Sequence, residues 1–520
     1  MLYWPKVLLN PMLFNSFSFI FIFLPLALLL FHLPLRYGRF RLALTLLVLC
    51  SLSFYAYWYP PYLAILLLSI FVNFNLARFL QKIDKPIKKF VFWFGVIFNL
   101  GLISYFKYYF FFLDNISFII GHVFDSKNIL LPLGISFFTF QQIAYLLEVY
   151  KAKVSNTNFV DYLLFVSFFP QLIAGPIVHF NQVMPQFLAL KKNIIENALF
   201  SSGLALFSMG LFKKVVMADY LATHADPLFV AVEAGYRPTF LEAWGAAFSY
   251  SFQIYFDFSG YTDMALGLAL LFGIRLPQNF NAPYKATGYI QFWKRWHITL
   301  SNFLRDYVYI PLGGNRSGAT HKYSNILITM LIGGLWHGAS WNFVLWGGLH
   351  GIFIGINHLI RHVIGDFQSF LLSTLGWLVT FVSVTVLWVL FRAESFHGAI
   401  SIYYGMSSFV SISLPESIFI VLPEKIQSIL LLLNFKSSTN LLYFKSTPLI
   451  MALALAGLVA FLLPNSSRLF RVSTTSEVST IFGQSLRFAP NFGWAIFTAL
   501  MLVLSITFMQ RQSPFLYFQF

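Results

Sequence analysis

The chain has 520 residues, of which 58% are hydrophobic and 10% charged, with 64 phenylalanines and a mean hydropathy of +0.73. A soluble domain carries about 45–50% apolar and about 25% charged residues, so these values exclude an ordinary soluble globular protein. The formal charge of +16 is read as the Lys/Arg excess of cytoplasmic loops, because no basic block interleaved with exposed aromatics supports nucleic-acid binding.

Apolar runs long enough to cross a bilayer, about 20 residues of helix each, predict spans at about 15–33, 42–58, 62–77, 90–112, 129–149, 160–178, 198–220, 240–274, 324–360, 369–391, 448–464 and 489–509. The alternating strands of a membrane barrel are not seen. The expected fold is therefore an all-α, polytopic integral membrane protein. The first run, NSFSFIFIFLPLALLLFHL, is too long for the hydrophobic part of a signal peptide and lacks a small-x-small cleavage site, so it reads as a retained span. Basic loops at 36–41 and 78–89 flank an uncharged YPPY loop at 59–62. Positive-inside logic places the basic loops in the cytoplasm and the N-terminus outside. Cys50, the sole cysteine, sits inside an apolar run, which excludes an intrachain disulfide or thiolate metal site.

Further along, the alternation breaks down. Lys213 and Lys214 follow an apolar run directly, and 275–323 is too polar to span although spans flank it. Non-helical backbone at membrane depth survives only when buried in protein or lining a wet cavity, so 275–323 is expected to be re-entrant or interfacial. The segment 411–446 is amphipathic and is expected to lie on a membrane surface. Three regions of one structural unit result: N-terminal spans over 1–130, a core over 131–396, and a linker with further spans over 397–520.

Several engines are missing from the sequence. It has no phosphate-binding G-x-x-x-x-G-K-[ST] loop, no H-E-x-x-H and no G-x-S-x-G elbow. His358 and His362 have helical spacing but no accompanying glutamate, and read as a basic helix end rather than a zinc site. No metal is expected.

Ionisable groups at membrane depth are costly, so each is read as paired or functional. Three clusters stand out. In 250–267, Asp257 and Tyr261 are one turn apart, so that carboxylate and phenol can hydrogen-bond; the pair either ties helices together or lines a cavity. In QFWKRWHITLSNFLRDYVYIPLGGNR (291–316), a continuous helix would put Trp293, His297 and Ser301 on one face. Lys285, Lys294, Arg295, Arg305 and Arg316 are suited either to the phosphates of a cofactor or to lipid head groups. In 330–351, His337 lies in an uncharged stretch among glycines and tryptophans, where the indole of Trp336 and the amide of Asn342 offer hydrogen-bond donors. A neutral imidazole there suits a general base; the competing reading is a satisfied core histidine. His350 has weaker support.

Taken in order, LPLGISFFTFQQIAYLLEVY (131–150), FFPQLIAGPIVHFNQVMPQF (168–187), SFQIYFDFSGYTDMALG (251–267), LPQNFNAPY, FWKRWHITLSNFLRDYVYIPLGGNR, GGLWHGASWNFVLWGGLHG and LWVLFRAESF (387–396), with the terminal FLYFQF, resemble the membrane-bound O-acyltransferase family. They look closest to its alginate O-acetyltransferase (AlgI-like) branch. The likeness covers at least 131–396. It implies a helical bundle enclosing a tunnel, re-entrant segments on the cytoplasmic side, and catalytic histidines at His337 and His297. Acetyl-CoA is the implied donor, with no permanently bound cofactor. His337 would take the proton of an acceptor hydroxyl, His297 would orient the acyl group or its acceptor, and the basic residues of 285–316 would hold the CoA phosphates. The branch also implies a bacterial inner-membrane location and an extracytoplasmic acetyltransferase partner that modifies a polysaccharide, the indirect acceptor: alginate, cellulose, peptidoglycan or another surface glycan.

Three rivals remain at this point. A transporter or flippase would show corresponding broken helices in two halves, whereas the glycine-rich breaks here fall in one central region. D-alanyl transfer to teichoic acid is disfavoured by the extension past residue 400. A catalytically dead scaffold is disfavoured by retention of both histidines.

Overall fold

The computed structural model describes residues 12–122, 124, 129–191, 197–316, 318–365, 369–408, 412–438, 441–444, 446–470, 487–509 and 515–516. Among them, seven helices are long and apolar enough to cross a membrane: Phe19–Arg36, Phe40–Trp58, Pro60–Leu80, Pro86–Ile120, Asn197–Glu233, Trp341–Val363 and Phe370–Arg392. Two shorter apolar helices, Thr447–Leu462 and Phe492–Phe508, follow. The protein is a multi-pass helical membrane protein. The N-terminus and most of the FLYFQF motif lie outside the described residues, which in that motif are Phe515 and Leu516.

At the centre runs Phe240–Leu271, a 32-residue helix buried on nearly every side from Glu242 onward. Its entry is set by a capping box, in which Thr239 and the N3 residue Glu242 satisfy each other's backbone donors. Against it packs Asn197–Phe212, and the approach is close because glycines face glycines. A Cβ on Gly260 would stand 2.7 Å from the Gly210 carbonyl oxygen, and one on Gly267 equally close, 2.7 Å, to that of Gly203. Small residues let helix backbones meet where lipid supplies no hydrophobic drive. Just beyond it, ion pairs cross to the same central helix: Lys213 meets Asp263 and Lys214 meets Asp257, each at 2.6 Å, while Lys214 also meets Asp219 in its own helical stretch at 2.8 Å.

Two expected spans are broken. In place of 160–178 there is Phe159–Ser167, a kink at Phe168, the single turn Phe169–Leu172 and then non-helical chain. Pro170 lacks the N–H that a continuing helix needs. In place of 324–360 there are two helices, Ala319–His337 and Trp341–Ile364. Gly338 is extended between them, and the Ser340 hydroxyl caps the second helix by accepting from the Asn342 backbone N–H at 3.2 Å. A Cβ at Gly334 would meet the Phe343 carbonyl and one at Gly347 the Met330 carbonyl, so the hairpin closes because these positions carry none. The span predicted at 129–149 is a helix only from Ile135 to Tyr150, after a left-handed Gly134.

The polar stretch 275–323 is a chain of short pieces: Pro283–Lys285, Tyr289–Trp293, Ile298–Leu304 and the π-turn Arg305–Tyr309. Its aromatic residues Tyr284, Phe292, Trp293 and Trp296 are buried, while Arg305, Asp306 and Ile310 are exposed. The linker after residue 411 departs from the all-helical expectation: Ser413–Pro415 and Lys436–Ser438 pair as a parallel ribbon, with Ser413 opposite Lys436, around the helices Glu416–Phe419 and Glu424–Leu432. Turn residues on both sides of the second helix bring the two strands back together.

Candidate active site

Ala319–His337 ends at His337, which leaves the last carbonyls of that helix without intrahelical donors. Two side chains from the helix Pro86–Ile120 supply them. The Tyr108 hydroxyl donates to Leu335 O at 2.9 Å, and Lys107 Nζ donates to Trp336 O at 2.6 Å and His337 O at 3.0 Å. Both come from a π-helical turn, Ser104–Tyr108, which interrupts the α-helix where the contact is made. A basic group is also favoured by the helix dipole at a C-terminus. Sequence reasoning passed over Lys107 inside the run 90–112; a lone lysine in a span was the available signal.

His337 is 4% exposed, and its ring is packed among Trp336 (centroids 4.9 Å apart), Trp346 (5.2 Å) and Phe391 (5.2 Å). Asn342, expected to offer its amide nearby, instead donates to Ala393 O at 3.1 Å and ties the hairpin to the following helix.

His297 reaches the same place by a different backbone from the one predicted. Tyr289–Trp293 stops, the chain turns, and His297 sits in the left-handed region (φ 43°, ψ 55°) as the N-cap of Ile298–Leu304. Trp293, His297 and Ser301 therefore do not share a helix face. The turn is held from outside: Asn281 N–H donates to Arg295 O, and Ile298 N–H to Asn279 O, both at 2.9 Å. Left-handed backbone is uncommon for a residue with a Cβ and marks a site worth examining. His297 is fully buried, 4.8 Å from the Phe258 ring and 6.0 Å from the Trp336 ring. Trp336 thus lies against both histidines.

Trp293 points to a further tier, its indole donating to His350 Nδ1 at 3.2 Å. His350 packs on Trp346 at 4.6 Å. Ser301 is half-buried and donates to Trp296 O at 3.4 Å. Around His337 the notable feature is unspent hydrogen-bond donors: Trp336 Nε1, Trp346 Nε1 and His350 Nε2 are buried with no partner among the described residues. A buried polar group left unpaired costs about 1–3 kcal/mol, and such orphans call for a ligand or water.

The remaining predicted residues go elsewhere. Asp257 pairs with Lys214 and accepts from Leu516 N–H at 3.0 Å, rather than from Tyr261. Tyr261 stacks between Phe14 (5.0 Å) and Phe515 (4.5 Å). Asp257 thus ties two helices together, while Tyr261 packs against chain outside them; Phe515 in turn touches Phe258, which abuts His297. Of the five cations, Lys285 donates to Leu463 O at 2.8 Å, Arg295 reaches Asn281 O at 3.5 Å and Arg305 pairs with its neighbour Asp306 at 2.7 Å. Lys294 and Arg316 are exposed. The five do not converge on one partner. Among the described residues no three His, Cys, Asp or Glu side chains group as metal ligands.

The sequence model of the membrane-bound O-acyltransferase family matches residues 103–396. A peptidoglycan O-acetyltransferase of Helicobacter pylori is 40% identical over 504 residues, covering 91% of each chain. A probable alginate O-acetylase AlgI of Azotobacter vinelandii is 40% identical, covering 70% of this chain and 72% of its own. A teichoic acid D-alanyltransferase of Streptococcus thermophilus is 29% identical over 45% of this chain and 58% of its own.

Proposed function

Because the chain belongs to the membrane-bound O-acyltransferase family, we propose that this multi-pass membrane acyltransferase takes acetyl from cytoplasmic acetyl-CoA. It passes the group across the bilayer toward O-acetylation of a cell-envelope glycan. Peptidoglycan is the favoured polymer, since the similarity to the Helicobacter pylori peptidoglycan O-acetyltransferase runs through 91% of both chains and includes the segment past residue 400. Alginate-like polysaccharides are the second reading. D-alanyl transfer is disfavoured by a likeness that covers 45% of this chain.

One observation carries the reading: two buried histidines lie against one tryptophan, amid indole N–H groups that have no partner among the described residues. In the step this supports, the acceptor oxygen attacks the thioester carbonyl carbon. His337 receives the hydroxyl proton, the C–S bond breaks as the C–O ester bond forms, and His337 returns the proton to the departing CoA thiolate. Negative charge builds on the carbonyl oxygen in between, and in this reading the indole N–H groups of Trp336 and Trp346 donate to it. A dry site strengthens those interactions. Lys294 and Arg316, being exposed, are the cations offered to the CoA phosphates; Arg305 is engaged by Asp306, and Lys285 and Arg295 hold backbone carbonyls.

With the basic loops 36–41 and 78–89 on the cytoplasmic side, the protein sits in the bacterial inner membrane with its N-terminus outside. A separate extracytoplasmic acetyltransferase meets the polymer. The test uses purified protein in lipid nanodiscs given acetyl-CoA, with release of the CoA thiol as readout, for wild type and His337→Ala. Ester-linked acetate on envelope glycans is compared in cells with and without the protein. Thioester cleavage that His337→Ala abolishes supports the reading; cleavage at the wild-type rate by a correctly inserted His337→Ala protein would overturn the role of His337.

A further inference from the structure

Asn279 lies in the LPQNFNAPY stretch, fully buried, and its side-chain oxygen receives three contacts. Thr299 N approaches at 3.3 Å, Thr299 Oγ1 at 3.0 Å and His297 Nδ1 at 3.1 Å. The first is a backbone N–H and can only donate. The second follows from the first: the Asn279 atom that receives Thr299 N–H is an acceptor, so Thr299 Oγ1, which accepts from the Ile177 backbone N–H at 3.0 Å, gives its own proton to it. Two donors thus face the same Asn279 atom, which must be the carbonyl oxygen; a flipped amide would set NH2 against N–H. An amide oxygen has no proton to give. His297 Nδ1 must therefore carry one, and in the neutral ring Nε2 bears the lone pair.

We propose that Asn279 is a positioning residue that holds His297 in its Nδ1–H form, so that Nε2 accepts a hydrogen bond from the incoming hydroxyl. Of the two reacting groups, the thioester carbonyl only accepts hydrogen bonds, whereas a hydroxyl can donate. A lone pair at Nε2 matches the hydroxyl and repels the carbonyl oxygen. His297 then orients the acceptor, leaving the oxyanion to the indoles. The left-handed backbone at His297 fits this reading: Asn279 holds the residue twice, by side chain and by its carbonyl on Ile298 N–H, and so keeps a strained turn in place. The substrate assignment rests on the proposed acetyl transfer; the tautomer does not.

The experiment records ring-nitrogen NMR of the full-length protein in nanodiscs with 15N-labelled histidine, the His297 signals being those lost in His297→Gln. Protonated Nδ1 with bare Nε2 is expected in wild type and in Asn279→Asp, whose carboxylate accepts the same three hydrogen bonds. Asn279→Ala should show a mixture of tautomers. With acetyl-CoA and soluble peptidoglycan fragments as probes, Asn279→Ala should lose about 10²–10⁴-fold in kcat, the cost of a misdirected imidazole, with KM for acetyl-CoA within about twofold. Asn279→Asp should recover most of that rate. Its added charge favours the imidazolium, so the acid limb of its pH–rate profile should move to higher pH. Nε2–H in wild type, or wild-type kcat in a folded Asn279→Ala protein, would overturn the inference. If wild type shows the expected tautomer but neither cleaves acetyl-CoA nor transfers acetyl, the proposed function fails and the assignment of His297 to a hydroxyl falls with it.

Discussion

Replacing Lys107 by Met keeps the length of the side chain and removes its donors. Trp336 O and His337 O then lose the hydrogen bonds that end their helix, at 2.6 and 3.0 Å. Each orphaned buried carbonyl costs about 1–3 kcal/mol, so about 2–6 kcal/mol of local stabilisation disappears. Against this, a buried polar nitrogen is also removed, and relief of its desolvation offsets several kcal/mol. The global stability change is therefore expected to stay within about 2 kcal/mol. The local change is not offset at Trp336 O and His337 O, because Tyr108, the other side chain at that helix end, donates to Leu335 O instead.

His337 is the terminal residue of that helix, so fraying there moves the imidazole directly. A misplacement of about 1 Å at a reacting group costs roughly 10²-fold in rate. Lys107→Met should accordingly show a thermal unfolding profile close to wild type in detergent, together with a kcat for acetyl-CoA cleavage lower by about that factor. A kcat equal to wild type refutes the capping argument. So would global unfolding, because it would show that the two opposing burial costs do not balance.

Trp336→Phe keeps an aromatic ring, though a smaller one, against Phe140, which the indole stacks on at 5.5 Å, and deletes one unspent N–H. If that donor meets the developing oxyanion, kcat falls about 10²–10³-fold with little change in thermal stability, whereas a purely packing role leaves kcat alone. In the buried ion cluster, Lys214→Met strips the counter-charge from both Asp219 and Asp257 and should destabilise by about 3–5 kcal/mol. Asp257→Asn should cost much less, since Asp219 remains 2.8 Å from Lys214; thermal unfolding of the two variants in the reverse order would contradict this account.

The rule that ionisable groups are expensive in an apolar chain led to His337, His297 and the lysine–aspartate region, and the structure buries all of them. What it misses is the partner. Asp257 was matched to Tyr261 because they are neighbours on one helix, yet Lys214, 43 positions away in the chain, takes the carboxylate through a glycine-lined helix contact that local spacing does not encode. Lys107 is hard to read from the sequence for the opposite reason. Hydropathy averages over a window, and one lysine among phenylalanines barely lowers it. The same averaging ran 324–360 together across Gly338, although that break is what places His337 at a helix end. His297 shows the strongest tertiary override: the local pattern suits a helix, but a hydrogen bond from Asn281 N–H to Arg295 O and one from Ile298 N–H to Asn279 O turn the backbone.

These failures share a cause that bears on function. An unbroken helix in an apolar interior satisfies its own backbone and leaves only side chains to do chemistry. Each break, at Gly338, at His297 and at the π-turn Ser104–Tyr108, frees backbone groups that must find partners within the protein. Lys107, Tyr108 and Asn279 are those partners, and each also fixes a residue beside Trp336. The irregular backbone and the candidate site therefore coincide for a physical reason: the hydrogen bonds that make the breaks tolerable hold the two imidazoles at fixed positions.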